Sequence, residues 1–513
     1  MDERQEQREV GQLVIYIARL DVHNLHRRLD ISIDFDRNIN VLFGKNGTGK
    51  TTLLHILANI LNGSLDRFAY LDFDHIAMLT SDERRIELHR KDAQGGESII
   101  QVVLDGQELS SINTNAVRER FREQSLRERT DLDFVDEVQR SKQMRESLGT
   151  RPAAYFPAFR TMIEAWKSVS PDDYGVFHPV EPLARYVSPR SRATVTSFAR
   201  GLFGNFVPML NYPSLLDIER DLSREIESSS FAVARESQDI LTGAFVDALR
   251  AVLSVDSLTP SGQRIAVAQD TINVAQDIEK LLQELDQSPA VTGDSDELIE
   301  QDDVYVQLRG ILSGTQIDHV SDTSAAASVL SLLRQALKRQ NEVRRQTYAA
   351  VDQYVASVNE FLEQKHLEVS RRQRQNARDT RRVSIRLADD AKANLQSLSS
   401  GERQIVSMLY AASPALSSSS SVMGNSDVVL IDEPELSLHI DWQRDLLPKM
   451  ERQVGKRQVI VCTHSPEIGA DYENKYREVL YRWAGDGALR NGHAHRIAER
   501  MEGEDVELDE SEL

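Results

Sequence analysis

The N-terminal part of the chain alternates apolar and polar residues in short runs and then becomes continuously apolar. The runs LVIYIARLDVHNL and LDISIDF precede the apolar run INVLF, which ends at Phe43. Period-two alternation is typical of strands buried on one face, and an unbroken apolar run is typical of a strand buried on both. The pattern predicts edge strands that lead into a buried central strand.

A glycine-rich loop and a helix follow that strand directly. The loop is GKNGTGKT (Gly44 to Thr51), and the apolar positions of TTLLHILANIL after it recur with helical spacing. RRIELHRKD and SIIQVVLDG then flank AQGG, which predicts a hairpin that ends near Gly106. AAYFPAFR (153–160) is a short apolar segment that ends in arginine.

The middle of the chain, from about 161 to 364, is rich in helix formers and is broken at YPSL and SPAVTGDSD. We therefore predict a helical insertion. Its last helix is the most periodic, with apolar residues at three- and four-residue steps: Tyr348, Val351, Val355, Val358 and Leu362. The repeat covers only about two heptads, so we expect one face of a packed helix and not a coiled coil.

Strands and helices alternate again in the C-terminal part. KHLEVSRR and RRVSIRLAD predict a second hairpin, and LQSLSSGERQIVSMLYAASPAL predicts a loop that enters a helix. DVVLIDEPE and KRQVIVCTHS are apolar strands that end in polar residues, with a helix from about Trp442 between them. This alternation predicts the α/β class and a largely parallel sheet, whose ligand site lies at the carboxyl ends of its strands.

These patterns divide the chain into four predicted segments. They are an N-terminal lobe (1–160), a helical insertion (161–365), a C-terminal lobe (366–490) and an acidic tail (491–513). The tail ends in EGEDVELDESEL, and we expect it to be disordered because like charges repel and little can be buried.

Composition narrows the class of protein. The 513 residues are 40% hydrophobic and 28% charged, no run approaches the roughly 18 apolar residues of a membrane span, and the N-terminus is charged. We expect a soluble cytoplasmic protein with no membrane partner. The single cysteine, Cys462, excludes an internal disulfide and a cysteine metal cluster, and its apolar neighbours predict a core position.

Net charge bears on nucleic-acid binding. The formal charge is −20, so DNA contact would need a local basic patch that overcomes the field of the whole molecule. Two arginine-rich stretches offer one, Arg118 to Arg129 and Arg371 to Arg382. Charge runs are usually solvated faces, so DNA contact and a solvated surface both stay open.

The loop after the first apolar strand fits the Walker A pattern. Its glycines let backbone N–H groups converge on phosphate oxygens, Lys50 adds charge at the outer phosphates, and the Thr51 hydroxyl can bind Mg²⁺. The alternative is a glycine-rich turn with an exposed lysine. The predicted nucleotide contacts of the loop are Gly44, Asn46, Gly47, Gly49, Lys50, Thr51 and Thr52.

Two further strand ends carry candidate catalytic groups. VVLIDEPELSLH presents Asp432, which would bind Mg²⁺, and Glu433, which would orient or deprotonate the attacking water; the alternative is an acidic turn that caps a helix. VIVCTHSPE places His464 just past a buried strand, where its imidazole would contact the γ-phosphate. A structural histidine is the alternative at that position.

Four segments in order resemble the motifs of ABC-type ATPases: FGKNGTGKT as Walker A, LSSGERQ as signature, LIDEPE as Walker B and THS as switch histidine. The resemblance implies an ABC-type P-loop ATPase head with a mixed sheet, binding ATP and Mg²⁺. It also implies a homodimer or higher homo-oligomer, in which Ser399, Ser400 and Gly401 of one head cap the nucleotide of the other. Ser400 replaces the glycine usual in ABC transporters, which argues against a transporter cassette.

DEPELSLHIDWQ is more similar to the soluble ATPases grouped with OLD-type, RecF-like and SMC-like proteins. Only residues 465–513 follow the switch histidine, so we expect no Toprim nuclease domain, and the insertion is too short for the long coiled coil of SMC-like proteins. What remains resembles the ATPase subunits of bacterial anti-phage systems of the Septu, retron and PARIS kind. YFPAFRTMIE is similar to a segment of such ATPases, in which Arg160 would reach the nucleotide or a partner, or form a surface salt bridge. No Q-loop glutamine is assigned.

The resemblance implies a first hypothesis, an ATP-hydrolysing regulator that controls a separately encoded effector nuclease or toxin in anti-phage defence. The alternative is a RecF- or SMC-like ATPase of DNA repair or maintenance, with the arginine-rich stretches as its phosphate track. A third hypothesis is a scaffold that only binds nucleotide, and the intact Glu433 argues against it.

Overall fold

The computed structural model describes most of the two lobes and part of the insertion. The described residues are 15–44, 47–92, 98–126, 131–160, 162–163, 192–253, 324–371, 382–417, 426–470, 472, 476–478 and 481–483. Asn46 and the segment 491–513 lie outside them, as do most residues of the arginine-rich stretch that begins at Arg371. The chain divides into two compact units, one of residues 1–214 with 400–513 and one of residues 215–399.

A five-stranded parallel sheet forms the centre of the first unit. Its strands in spatial order are β14 (Tyr476–Glu478), β3 (Ile39–Phe43), β13 (Gln458–Thr463), β12 (Val428–Asp432) and β8 (Ala153–Phe156). Every neighbouring pair is parallel, as the alternation of strands and helices predicts. The register pairs Thr463 with Phe43 and Cys462 with Asp432, so the carboxyl ends of the three middle strands meet at one edge.

A seven-stranded antiparallel sheet belongs to the same unit. Its strands in spatial order are β15 (Tyr481–Trp483), β2 (Leu29–Asp34), β1 (Ile17–Leu25), β4 (His75–Thr80), β5 (Arg85–Asp92), β6 (Ser98–Leu104) and β7 (Gln107–Asn113). The predicted hairpin is confirmed, because β5 pairs antiparallel with β6.

The expectation that the first two strands are edge strands is wrong. Both β1 and β2 have a neighbour on each side, and they belong to a different sheet from β3. Alternating apolar and polar residues indicate that one face of a strand is buried. They do not indicate whether the strand has hydrogen-bonded neighbours on one side or on both. The apolar residues Ile39, Val41 and Leu42 are buried as predicted, and the polar Asn40 between them is buried as well.

The described helices of the first unit do not all lie on one sheet, since the helix of residues 114–126 contacts β6 and β7 of the antiparallel sheet. The described helices are α1 (Lys50–Leu61), α2 (Thr114–Leu126), α3 (Asp131–Leu148), α4 (Arg192–Phe203), α7 (Ser400–Ala412), α8 (Pro414–Ser417) and α9 (Ile440–Val454). Helix α1 contacts β8, β12 and β13, and its apolar residues from Leu53 to Leu61 are buried. Helix α9 begins two residues before the predicted start at Trp442, and His439 caps it by accepting from the N–H of Asp441.

The second unit pairs two long helices with a small sheet. Helices α5 (Leu215–Leu253) and α6 (Ser324–Asn359) pack together, and β9 (Lys365–Val369), β10 (Val383–Leu387) and β11 (Lys392–Ala393) form a three-stranded sheet. The second predicted hairpin is confirmed by the antiparallel pairing of β9 and β10. Tyr348, Val351 and Val358 are buried and Val355 is half-buried, which confirms one packed face of a helix. Leu362, the fifth residue of the predicted repeat, is also buried but lies beyond the end of α6.

The chain is therefore a mixed α/β protein, which confirms the predicted fold class. The four predicted domain boundaries stay predictions. Among the described helices, none combines the length and the apolar character that crossing a membrane requires.

Candidate active site

The glycine-rich loop connects the end of β3 to the start of α1. Gly47 and Gly49 have φ angles of 80° and 88°, a left-handed conformation that glycine adopts without steric cost. Lys50 opens the helix, and its Nζ donates a 2.5 Å hydrogen bond back to the carbonyl oxygen of Gly44. Thr52 lies in the first turn of α1. The loop therefore brings backbone N–H groups and an ammonium to one helix N-terminus, which is the arrangement that binds phosphate.

The hydroxyl of Thr51 points at the carboxylate at the end of β12. Thr51 Oγ1 lies 2.9 Å from Asp432 Oδ2 and 3.2 Å from Oδ1. Asp432 is only 1% exposed, and burial, opposed by the Thr51 hydrogen bond and reinforced by the charge of Glu433, raises the pKa of this carboxyl to about 6. A buried carboxylate beside a hydroxyl has the oxygen donors that Mg²⁺ prefers, and a divalent cation would favour its charged form.

The imidazole of His464 lies between a cation and an anion. Its Nδ1 is 3.4 Å from Lys50 Nζ, and its Nε2 is 3.7 Å from Glu433 Oε1. Burial lowers the pKa of Lys50, although the nearby carboxylates oppose that shift. Lys50, His464 and Glu433 therefore lie in one row. The side chains of His464 and Glu433 are each about one third exposed.

Glu435 anchors the loop that carries His464, a role that the sequence analysis did not assign. Its Oε1 accepts hydrogen bonds from Thr463 Oγ1 at 2.8 Å, from the N–H of His464 at 2.8 Å and from the N–H of Ser465 at 3.2 Å. The second glutamate of DEPE, Glu435, is the signal in the sequence. One carboxylate oxygen therefore fixes the backbone on both sides of His464.

The structure contradicts both expectations for Arg160, namely that it forms a surface salt bridge and that it reaches the nucleotide or a partner. The side chain is 1% exposed and donates into the first unit's own backbone. Its acceptors include the carbonyl oxygens of Asp432 at 2.9 Å and Glu433 at 3.1 Å, and Gln404 Oε1 at 2.9 Å. Arg160 therefore ties the end of the β8 segment to α7 and to the turn that carries Glu433.

The signature residues lie at the start of α7. Ser399 and Ser400 are exposed, whereas Gly401 is buried against the turn after β12. A Cβ on Gly401 would lie 2.6 Å from the carbonyl oxygen of Ser437, so only glycine fits there without a shift. The exposed serines contrast with the partly buried cluster of Lys50, Thr51, Asp432, Glu433 and His464, and the roles of all these residues stay predictions.

A family model covers most of the chain. It is described as "AAA domain, putative AbiEii toxin, Type IV TA system" and matches residues 39–471, a range that contains every candidate site residue.

A curated relative from Escherichia coli, the Retron Ec83 probable ATPase, is 35% identical over 75 residues. That match covers 14% of this chain and 14% of the relative, so the chain spans only a small part of the relative it matches.

Solved structures of Smc head domains also match. One is the Smc head domain from Pyrococcus furiosus with an extended coiled coil, bound to the C-terminal domain of ScpA. It is 12% identical to this chain, and the match covers 95% of this chain and 100% of that chain with a TM-score of 0.35. Another, from Pyrococcus yayanosii with a coiled coil and joint, is 13% identical, with a TM-score of 0.33 over 95% of this chain and 100% of that chain.

The family match spans well over half of the sequence, and the chain therefore belongs to the AAA domain family of ATPases described as putative AbiEii toxin, Type IV TA system.

Proposed function

We propose that this ATPase works as an ABC-type head that hydrolyses ATP and thereby controls a separately encoded effector nuclease or toxin in anti-phage defence. The observation that carries the ATPase step is the convergence of Lys50, Thr51, Asp432, Glu433 and His464 at the carboxyl edge of one parallel sheet. A site that only bound nucleotide would have no need for a carboxylate and an imidazole 3.7 Å apart beyond the phosphate loop.

Each residue has a chemical task in this proposal. The loop N–H groups and Lys50 bind the phosphates of ATP, while Thr51 and Asp432 hold Mg²⁺, which neutralises phosphate charge when bound. Glu433 accepts a proton from the attacking water or orients it, and His464 contacts the outer phosphate. The Glu435 carboxylate keeps His464 in place through the backbone of its loop.

Association of two heads would complete the site. The exposed Ser399 and Ser400 and the N-terminus of α7 offer hydroxyl and N–H donors to a phosphate held by another protomer. Binding of ATP would then hold a homodimer or larger homo-oligomer together, and hydrolysis would release it. The effector would respond to that change of assembly.

The defence role is supported by the comparisons. The family description includes a putative toxin of a toxin–antitoxin system, and the Escherichia coli relative is a probable ATPase of a retron. The pairing of this ATPase with a separate toxic activity is our own extension of these two descriptions and part of the proposal.

DNA maintenance is the second candidate function. The described arginines of the stretch Arg118 to Arg129 weigh against its predicted role in binding the phosphates of DNA. Arg118 donates to the carbonyl oxygen of Ala69, and Arg120 pairs with Asp66, so these guanidinium groups are engaged within the chain. Arg371, at the start of the second stretch, pairs with Asp352.

The proposal is tested by measuring ATP turnover and mass of the full chain, wild type beside Glu433→Gln, with and without duplex DNA across a salt series. We expect Glu433→Gln to lower turnover at least about 100-fold while ATP binding persists, because only the proton acceptor is lost. Glu146→Gln, at an exposed position of α3, is the matched control and should leave turnover unchanged.

Two results would overturn parts of the proposal. Turnover that survives in Glu433→Gln would remove this carboxylate from the chemistry. Turnover of the wild type that rises several-fold with duplex DNA, and loses that rise at higher salt, would favour the DNA-maintenance candidate.

A further inference from the structure

Three side chains of metal-binding type meet on the seven-stranded sheet, outside the candidate active site. His75 lies on β4, and Glu87 and His89 lie on β5, where the antiparallel register places His89 directly opposite His75. His75 Nε2 is 3.4 Å from Glu87 Oε1, and His89 Nε2 is 3.9 Å from Glu87 Oε2. One donor atom from each residue lies within 4.8 Å of the other two.

His75 presents a nitrogen that the described residues leave without a hydrogen bond. Its Nε2 is shielded from solvent, and Glu87 Oε1 at 3.4 Å is beyond the usual range for an N–H···O bond. Buried polar atoms without a partner are uncommon in folded proteins, and a bound ion is one of the explanations for them. The ring of His75 also lies flat against that of His89, with centroids 4.4 Å apart, so the two imidazoles are held at one place.

We propose that His75, Glu87 and His89 form a binding site for Zn²⁺ or a similar first-row divalent metal. Two imidazole nitrogens and one carboxylate oxygen are a common protein ligand set for zinc, with water in the fourth position. Ligands about 2.0 to 2.1 Å from a tetrahedral zinc are separated by roughly 3.3 Å. The separations of 3.4 and 3.9 Å join the two imidazoles to different oxygens of Glu87, and one donor atom from each residue lies within 4.8 Å of the other two. To bind one ion, the donor atoms must close in by up to about 1.5 Å, and the two imidazoles must turn out of their stacked arrangement so that both nitrogens face the metal.

The charges around the cluster are compatible with a bound cation. Burial and then the neighbouring His89 lower the pKa of His75, whereas Glu87 opposes that shift, and a lowered pKa favours the neutral imidazole that binds metal. Arg85 pairs with Glu87 Oε1 at 2.9 Å, and since its own side chain is 59% exposed it can turn into solvent when a metal arrives. Glu87 Oε2 faces His89.

The ion would join β4 to β5 in the antiparallel sheet, whereas the candidate active site lies on the parallel sheet. The proposal is therefore independent of the proposed ATPase mechanism. It adds a second ligand class, a transition metal bound by imidazoles, to a chain whose candidate active site has the oxygen donors of a Mg²⁺ site.

His23 provides a matched control within the same row of histidines. It lies opposite His75 on β1 and stacks on it with centroids 5.6 Å apart, but its Nδ1 faces Asp30 at 3.8 Å. His23→Ala therefore removes a neighbouring imidazole of the same sheet face and leaves the three proposed ligands in place.

The test is metal content and Zn²⁺ titration of the full chain after removal of any purification tag and of bound metal by a chelator, without nucleotide. The wild type is expected to bind one more equivalent of Zn²⁺ than His75→Ala or His89→Ala, while His23→Ala binds as much as the wild type. Co²⁺ in place of Zn²⁺ should give the intense visible absorption of a four-coordinate site in the wild type and lose it in His75→Ala. The melting temperatures of the metal-free variants show whether each one is folded.

Equal Zn²⁺ content in the wild type, folded His75→Ala and folded His89→Ala would overturn the proposal. So would a lost equivalent in His23→Ala as large as that in His75→Ala, because the imidazoles would then act only through stacking.

Discussion

At the scale of single residues, the backbone of Glu433 shows how the rest of the chain positions a candidate catalytic group. Its φ angle of 47° is left-handed, a conformation that costs a non-glycine residue about 1 kcal/mol or more. The N–H of Glu433 donates to the carbonyl oxygen of Cys462 at 2.8 Å, and its own carbonyl oxygen accepts from Arg160 at 3.1 Å. These contacts compensate the strain and direct the side chain towards His464.

Arg160→Lys is expected to lower kcat for ATP more than it weakens ATP binding. The lysine has one ammonium in place of a guanidinium that donates to Asp432, Glu433 and Gln404, so the turn with Glu433 loses its support while the phosphate loop keeps its own contacts. The loss of buried hydrogen bonds should also cost about 3 kcal/mol of unfolding free energy. Steady-state kinetics and urea unfolding measure the two effects.

Arg151→Lys is the matched control for that variant. Arg151 pairs with Asp427 near the start of β12 and keeps 23% of its side chain exposed, so we expect a small change in stability and none in kcat. A fall in ATP affinity with unchanged kcat in Arg160→Lys would contradict the positioning role.

His55 should make stability fall with decreasing pH. This residue of α1 is buried, with 9% of its surface exposed, and burial lowers the pKa of its imidazole to about 3, so the folded protein excludes a proton that the unfolded chain binds near pH 6.5. The stabilising contribution is complete above about pH 6.5 and is lost as the pH falls from there towards 3. Between about pH 7.5 and about pH 5.5 the loss is about 1.4 kcal/mol.

Urea unfolding of the wild type and of His55→Gln at these two pH values measures that contribution. Glutamine retains a polar partner for the Tyr155 hydroxyl, which lies 2.8 Å from His55 Nε2, and does not titrate. The variant should lose about 1.4 kcal/mol less than the wild type over this interval. Equal losses would show that the imidazole is protonated in the folded state.

At the scale of helices and strands, the local sequence pattern predicts where a helix or strand lies better than it predicts what that element packs against. The run VVLID predicts β12 because it is apolar on both faces, and the loop before α1 is predicted because its glycines and lysine are adjacent in sequence. The neighbours of β1 and the contacts of Arg160 are not predicted by the sequence pattern, because they depend on distant parts of the chain. Asp432 follows Arg160 by 272 residues, and Gln404 follows it by 244.

Gly401→Ala should destabilise the contact between α7 and the turn after β12. The added Cβ would lie 2.6 Å from a backbone oxygen, which cannot rotate away as a side chain can, so α7 must shift. We expect a loss of about 2 kcal/mol in unfolding free energy, together with reduced ATP turnover, because α7 also carries Gln404.

Gly243→Ala provides the comparison for that substitution. Gly243 lies in α5 with nothing within 4 Å of an added Cβ, and alanine in a helix interior is favoured over glycine by up to about 1 kcal/mol. Urea unfolding of the two variants should therefore give changes of opposite sign. A Gly401→Ala variant as stable as the wild type would mean that the start of α7 moves freely.

At the scale of the whole molecule, the proposed assembly of heads makes each site depend on two protomers. Lys50→Ala removes the phosphate contact of a protomer, and Ser400→Arg blocks the signature that it offers to another. Each variant alone is expected to be inactive. Mixed in equal amounts, they should recover roughly a quarter of wild-type turnover, because half of the dimers contain one intact composite site.

ATP turnover of the mixture against that of each variant measures this recovery. Mixing wild type with Lys50→Ala, which needs no complementation, calibrates the exchange of protomers. A mixture no more active than its components, in the presence of measured exchange, would place the signature on the nucleotide of its own chain.

The order of strands in the parallel sheet has a consequence for how the protein is made on the ribosome. β3 and β8 come from the first third of the chain, yet β13 and β12 lie between them in space. A nascent chain that has produced the phosphate loop must wait for about 420 further residues before β13 can pair with β3, which takes roughly 20 to 80 s at usual rates of synthesis. Until then the apolar faces of β3 and α1 lack their partners, and this interval is when the polypeptide would depend most on chaperones.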